Sequence, residues 1–153
     1  MRKLNTEEEN NLRDVIINRV FNNEFSKHLG FEIMELNFNY SKVKMKLKDK
    51  LLNGYSSVHG GVLLALADTV VGITASMGGK YVTTLSCSMN FLLPAANTEY
   101  IYCECLKLKT GKHVLVYDIR ITDDAGNLLD SGEYSMFVSK KSIMDNEELT
   151  FKK

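Results

Sequence analysis

The sequence lacks several features that mark other classes of protein. Its 153 residues include no tryptophan, one proline and three cysteines. The odd number of cysteines predicts a reduced, cytoplasmic protein. Cys103 and Cys105 lie on one face of a predicted strand, where their side chains do not converge as a tetrahedral metal site requires, so no metal site is predicted. No apolar run is long enough to cross a membrane, and the nearest candidate, residues 62–77, contains Asp68. The polar, acidic N-terminus is unlike a secretory signal.

The charge of the chain is balanced, which argues against partners that are bound through net charge. Lysine plus arginine and aspartate plus glutamate number 19 each, so no net field would draw the protein to nucleic acid or to an anionic membrane. The length suits one domain. We expect that domain to comprise an N-terminal helix, a core and a polar tail, over about residues 6–23, 29–139 and 141–153.

Hydrophobic periodicity predicts an α+β fold with an antiparallel sheet. Apolar residues at helical spacing predict a helix over about 7–22. The stretch "SKVKMKLKDK" alternates apolar residues with lysines, which predicts a strand with one buried and one lysine face, reaching back to about Phe31 with a bend near 37–39. A long helix is predicted over about 60–77, ended by "GGK". Four strands joined by short turns are predicted at about 81–93, 99–108, 113–122 and 128–139.

The long helix is apolar on nearly every side, which is typical of a helix that is buried all round. One sheet cannot cover it completely, so we expect the sheet to wrap around it and a second subunit to cover the remainder. Asp68 lies in the middle of this helix. It is either a structural acid, exposed on a narrow stripe or bonded to a serine, threonine or backbone amide, or a general base or nucleophile held in a pocket.

Gly60 and Gly61 begin the long helix, where the first amide groups have no acceptor within the helix. Without side chains they would let a ligand carbonyl approach the backbone, as an oxyanion hole requires, although they could also serve only a tight turn. Gly60 and Asp68 are eight residues apart, roughly 12 Å along a helix, which is too far for both to act on one carbonyl. If both are catalytic, they come from different subunits.

Four stretches of the sequence resemble one family of enzymes. They are the loop and helix "NGYSSVHGGVLLALAD", the strand "TLSCSMNFLLPA", the turn "KTGKHV" and the final "DDAGNLLDSGEYSMFV". They resemble the hotdog-fold acyl-CoA thioesterases, in the phenylacetyl-CoA thioesterase-like branch, over about residues 29–139. The resemblance implies an antiparallel sheet wrapped around a long central helix, here with an extra N-terminal helix. It also implies hydrolysis of an acyl-CoA to a free acid and CoA, without a metal or cofactor.

The resemblance assigns roles to residues that match the family motif. Asp68 matches the catalytic acid, which activates water or attacks the thioester carbon. Gly60 matches the glycine whose backbone N–H polarises the thioester carbonyl, and Asn53 matches the loop residue that helps to position the carbonyl or the water. His59 matches the motif histidine, with an orienting role. Taken alone, Asn53 is a common turn residue and His59 a possible helix cap or interface residue.

The family often has a serine or threonine on the next strand, near the acid of its own subunit. Thr84 is our first choice, by its distance back from Pro94, and Ser86 is the second. Alternation would place both on one face, so the sequence does not separate them. The resemblance also implies a homodimer, commonly paired into a homotetramer, with Asn53 and Gly60 from one subunit and Asp68 and Thr84 from the other. The acyl group would lie in a channel between the two helices, lined by residues such as Leu63, Ala67 and Phe91.

Two other functions are compatible with the same fold. A ligand-binding protein would hold acyl-CoA without hydrolysing it, but regulators of that kind carry a DNA-binding module, which this chain has neither the N-terminal length nor the basic charge to supply. A dehydratase for hydroxyacyl thioesters would use a catalytic histidine in a different loop context, so we rank it last. An Asp68→Asn variant would abolish hydrolysis in a thioesterase and leave ligand binding largely intact in a binding protein.

Overall fold

The computed structural model describes residues 6–145 and shows a six-stranded sheet packed against one long helix. The helical segments are α1 (Thr6–Ile16), continued by a π-helical turn (Ile17–Phe21), α2 (Glu24–Leu29), a 3-10 turn (Asp49–Leu51) and α3 (Gly60–Ser76). The strands are β1 (Phe31–Leu36), β2 (Tyr40–Lys46), β3 (Lys80–Phe91), β4 (Tyr100–Thr110), β5 (Val114–Asp123) and β6 (Leu128–Ser142). Because α3 contacts all six strands, it is the central helix that the sequence predicted, and the α+β architecture is confirmed.

The order of the strands brings the middle of α3 beside an edge of the sheet. All neighbouring strands are antiparallel, in the order β1-β2-β4-β5-β6-β3. The chain leaves β2, runs through α3 and returns as β3 at the opposite edge, next to β6. The strand that follows the central helix is therefore the edge strand β3.

Strand alternation separates a buried face, which packs on α3, from an outer face. The two cross-strand pairs Val43–Cys103 and Met45–Ile101 of β2 and β4 are completely buried. The lysines between them face outward and form ion pairs with acids of neighbouring segments: Lys42 with Glu104, Lys44 with Glu32, and Lys46 with Glu99. The predicted lysine face is confirmed.

One local prediction was wrong, and the structure adds detail to two others. The strand predicted from Phe31 with a bend is two strands of a hairpin, because the Asn37 carboxamide oxygen accepts from the backbone N–H groups of Asn39 and Tyr40 and closes a turn. The predicted N-terminal helix is present as α1, it widens into the π-helical turn, and the unpredicted α2 follows. The predicted tail, 141–153, lies mostly outside the described residues, and its described part extends β6 to Ser142 and buries Ile143.

A strip of α3 and most of β3 remain uncovered in the single chain. Leu66, Val70 and Ile73 of α3 are completely buried, whereas Leu64 and Asp68 are exposed. Every residue of β3 is exposed or half-buried. Among residues 6–145, no helix is long and apolar enough to span a membrane.

Candidate active site

The start of α3 presents one unbonded backbone amide. His59 is the N-cap residue, and its Nδ1 accepts a hydrogen bond from the N–H of Gly61 at 3.0 Å. The N–H of Gly60 has no acceptor among the residues that the structure describes. Because this amide lies at the positive end of the helix dipole, it can bind a ligand oxygen. His59 contributes by capping the same turn.

Asn53 shapes the loop that precedes α3. Its Oδ1 accepts from the N–H groups of Tyr55 at 2.8 Å and Ser57 at 3.3 Å, and its Nδ2 donates to the Ser57 hydroxyl at 3.0 Å. The loop is also tied to the segment after β3, since the N–H of Val58 donates to the Ala95 carbonyl at 3.0 Å. The turn function of Asn53 that the sequence left open is therefore present, and the same side chain lines a cavity together with Gly60.

Asp68 is hydrogen-bonded to the neighbouring strand. The Thr84 hydroxyl on β3 donates to Asp68 Oδ1 at 2.7 Å. In the single chain Asp68 is exposed, on the uncovered strip of α3. In one chain Asp68 is therefore exposed and bonded to a hydroxyl, as its interpretation as a structural acid predicts. Its chemical role depends on what covers this strip of α3.

Ser86 lies on the other face of β3 from Thr84, so the expectation that they share a face was wrong. Thr84 pairs with Met136 of β6, which faces α3, whereas Ser86 pairs with Ser135 on the outer face. The register shifts between the two pairs because β3 carries one extra residue there, a β-bulge. The bulge reverses the alternation and directs only Thr84 towards Asp68.

A cavity of about 240 Å³ adjoins the free amide of Gly60. It is lined by the loop before α3, by the first turns of α3 and by the end of β3, with Asn53, Gly60, Leu63, Phe91 and Pro94 among its residues. Leu63 and Phe91 are two of the residues expected along the acyl channel; the third, Ala67, is buried in the core.

Among the cavity residues that sequence reasoning missed is an acid, Asp130 of β6. Asp130 is completely buried, and neither carboxylate oxygen has a hydrogen-bond partner among the described residues. Burial raises the pKa of its carboxyl to about 6. The signal was present in "LLDSGEYSM", where Asp130 is in phase with the buried Tyr134 and Met136, so an acid occupies an inward position of a strand.

The predicted site residues form two groups in the single chain. Asn53, His59 and Gly60 lie together at the start of α3, beside the cavity. Asp68 and Thr84 form the second group, about two helical turns further along α3. The first group offers an oxyanion-type donor and the second a carboxylate, and one chain does not bring them together.

Comparisons with known proteins agree with this fold. The family model of the thioesterase superfamily matches residues 55–129. The acyl-coenzyme A thioesterase PaaI of Escherichia coli is 30% identical over 102 residues, which cover 67% of this chain and 73% of that protein. The structure of E. coli PaaI, from the phenylacetic acid degradation operon, superposes with a TM-score of 0.82 at 23% identity, covering 88% of this chain and 97% of that one.

A hypothetical thioesterase protein of Streptococcus pneumoniae, solved with coenzyme A, is 26% identical, with a TM-score of 0.69 and coverage of 72% of this chain and 89% of that one. Two variants of that protein have also been solved, with alanine in place of an aspartate and of a threonine. These two positions have the same separation in sequence as Asp68 and Thr84.

The wrapped sheet, the central helix and the neighbours in structure define a hotdog-fold protein. The chain belongs to the thioesterase superfamily, in the PaaI-like branch, and is a thioester hydrolase.

Proposed function

We propose that the protein is an acyl-CoA thioesterase whose active sites form between the two subunits of a homodimer. One observation carries the proposal: Asp68 is held by Thr84 on an uncovered surface, while the free N–H of Gly60 lies on the same helix. The two are roughly 12 Å apart along the axis. A second subunit with its α3 antiparallel to the first would bring Asp68 of one chain opposite Gly60 of the other.

The uncovered surface has the composition of a subunit interface. The exposed side chains on α3 and β3 include Leu64, Leu85 and Phe91, which are 37%, 55% and 57% exposed. An exposed apolar patch around an edge strand typically marks a contact with another chain. Covering it with a second subunit would also remove Asp68 from bulk water. Pairing of such dimers into a homotetramer, and a cytoplasmic location, remain part of the proposal.

The chemistry follows from the two groups. The thioester carbonyl oxygen accepts a hydrogen bond from the Gly60 N–H, which stabilises the negative charge that develops there. Asp68 removes a proton from water, and the hydroxide attacks the carbonyl carbon; alternatively, the carboxylate attacks directly and water then hydrolyses the anhydride. In both routes the C–S bond breaks and CoA leaves as the thiolate, which takes up a proton. The Thr84 hydroxyl holds one oxygen of Asp68, so the other is directed to the reaction.

Coenzyme A as the carrier is supported by two similar proteins. E. coli PaaI is an acyl-coenzyme A thioesterase, and the S. pneumoniae thioesterase was solved with coenzyme A. The variants of the latter support the pairing of an aspartate with a threonine at this separation. The carrier does not determine which acyl group the enzyme hydrolyses; the cavity near Gly60 would determine that.

The test is release of free thiol from a panel of aliphatic and aryl acyl-CoAs. We expect wild type to hydrolyse at least one of them and Asp68→Asn to lose at least 100-fold in kcat, as expected when a general base is removed. Thr84→Val should lose about tenfold, the contribution of one hydrogen bond to a charged group. Ser86→Val, on the other face of the same strand, is the matched control and should retain its activity. Binding without turnover on any substrate would instead identify a binding protein.

A further inference from the structure

Ser57 is a buried serine beside the candidate site that the proposed chemistry does not use. It lies in the loop before α3 and lines the cavity beside Gly60, together with Asn53. Its Oγ accepts a hydrogen bond from Asn53 Nδ2 at 3.0 Å, and its backbone N–H donates to Asn53 Oδ1 at 3.3 Å. One serine therefore contacts both ends of the Asn53 carboxamide.

The orientation of this carboxamide follows from the groups around it. A backbone N–H can only donate, and the N–H groups of Tyr55 and Ser57 both face the same end of the Asn53 side chain. That end is therefore the oxygen, and the two donors occupy both of its lone pairs. At the other end, one N–H of Nδ2 is bonded to Ser57 Oγ, and the second has no acceptor among residues 6–145. Asn53 thus has a donor to offer a ligand, whereas its acceptor is used within the loop.

A free donor at this position suits the thioester oxygen better than the attacking water. An N–H that binds the water occupies a lone pair of its oxygen, which weakens the nucleophile. An N–H that binds the carbonyl oxygen instead stabilises the negative charge that develops on it during the attack. The free N–H of Asn53 would therefore act on the same oxygen as the N–H of Gly60.

We propose that Ser57 is a positioning residue: its hydroxyl holds the Asn53 carboxamide at the angle at which the free N–H meets the carbonyl bound at Gly60. The proposal rests on the thioesterase function proposed above. Rotation about the Cβ–Cγ bond of an asparagine has only broad preferences, so contacts with its neighbours must fix the angle. Without the Ser57 hydroxyl the NH2 group loses its acceptor, and the carboxamide turns towards another one.

The experiment is a double-mutant cycle on kcat for thiol release from the best acyl-CoA, with wild type, Asn53→Ala, Ser57→Ala and the double variant. We expect Ser57→Ala to lose about tenfold in kcat, the effect of one hydrogen bond, and to keep KM within about threefold. Asn53→Ala should lose ~10²–10³ in kcat, as when an oxyanion donor is removed. In the Asn53→Ala background, Ser57→Ala should cost less than about twofold more, because no carboxamide remains to be positioned.

Three further variants control for effects on folding. Ser56→Ala changes the neighbouring, exposed serine and should keep the wild-type kcat. If thermal unfolding shows that Asn53→Ala disrupts the loop, Asn53→Asp replaces it in the cycle, because its carboxylate keeps the oxygen acceptors and lacks the N–H. If Ser57→Ala does not fold, the nearly isosteric Ser57→Cys, whose sulfur is a weak acceptor, takes its place.

Three results would overturn the proposal: an unchanged kcat in Ser57→Ala, a loss that falls on KM alone, or the same further loss in both backgrounds. The last would mean that Ser57 contacts the substrate or stabilises the loop without acting through Asn53.

Failure of the thioesterase function itself would appear in the wild type. If wild type hydrolyses no acyl-CoA, that function fails, and the same cycle is measured as the Kd for butanoyl-CoA by calorimetry. Non-additive losses of affinity would still support the positioning of Asn53 by Ser57. Additive losses, or no binding to wild type, would overturn it.

Discussion

The N–H of Gly60 can be removed with little other change, by the substitution Gly60→Pro. Gly60 is the first residue of α3, a position at which helices accept proline because its N–H bonds nothing within the helix. The residue before a proline must be extended, and His59 has φ −63° and ψ 129°. The variant therefore keeps the helix and deletes the backbone donor that the mechanism assigns to the oxyanion.

The added Cβ of this substitution causes only a small steric effect, and a control variant can reproduce it. A Cβ at position 60 would lie 3.3 Å from Cε1 of Phe91, a tight contact. The Phe91 ring is 57% exposed and can move by a few tenths of an ångström. Gly60→Ala introduces the same Cβ and retains the N–H, so it is the control. We expect Gly60→Ala to remain within a few-fold of wild type and Gly60→Pro to lose ~10²–10³ in kcat, the effect of removing one oxyanion-hole donor.

The assay is the kcat for thiol release from the best acyl-CoA, with thermal unfolding of both variants. Gly60→Pro should unfold within a few degrees of Gly60→Ala, since the helix loses no hydrogen bond. The reasoning is refuted if the two folded variants have the same kcat. In that case the amide of Gly60 does not bind the oxyanion, and its lack of an acceptor has no catalytic meaning.

Two further predictions follow. An equal mixture of Asp68→Asn and Gly60→Pro subunits, each inactive alone, should recover about a quarter of wild-type activity after subunit exchange. The reason is that about half of the dimers are then hybrids, and each hybrid regains one intact site of two. No recovery would mean that both residues act in the site of one subunit. Asp124→Ala should lower the Tm at neutral pH, because hydrogen bonds from the Tyr100 N–H and the Thr98 hydroxyl hold the pKa of Asp124 at about 2. Because the pKa of Asp124 is lowered in the folded state, its carboxylate stabilises the fold at pH values above the ordinary pKa of 3.8 and loses this effect as the pH falls towards 2. The difference in Tm between wild type and Asp124→Ala should therefore shrink as the pH falls from about 4 to 2. A difference that stays unchanged down to about pH 2 would contradict the prediction.

The sequence predicted those elements whose periodicity reflects burial on α3. Val43 and Met45 alternate with lysines because one face of β2 is buried and the other carries ion pairs. The hairpin between β1 and β2 was missed because its turn contains neither glycine nor proline and is closed by the side chain of Asn37. The short helix α2 depends on its two ends, an Asn23 cap and Gly30 at φ 76°, and has too few residues for a periodic pattern.

For the candidate site, the candidates on α3 stay predictions, whereas the predicted geometry of the strands was wrong at one point. Asp68 and Gly60 were identified because an acid and paired glycines interrupt an apolar helix. The choice between Thr84 and Ser86 depended on strict alternation, and no residue type announces the β-bulge that breaks it. Asp130 could have been recognised as an acid at an inward strand position, but its lack of a partner is a property of packing in three dimensions.

The edge strand β3 connects the parts of the site, so assembly and chemistry depend on each other. It carries Thr84, which holds Asp68, and Phe91, which lines the cavity with Asp130. Among residues 6–145 of the single chain, β3 pairs only with β6, and its other side is an unpaired edge. Edge strands of this length require cover, and a second subunit that supplies it would fix β3 from both sides. The same contact that brings Asp68 opposite Gly60 would then also fix the hydroxyl that orients Asp68 and the wall of the cavity beside Gly60.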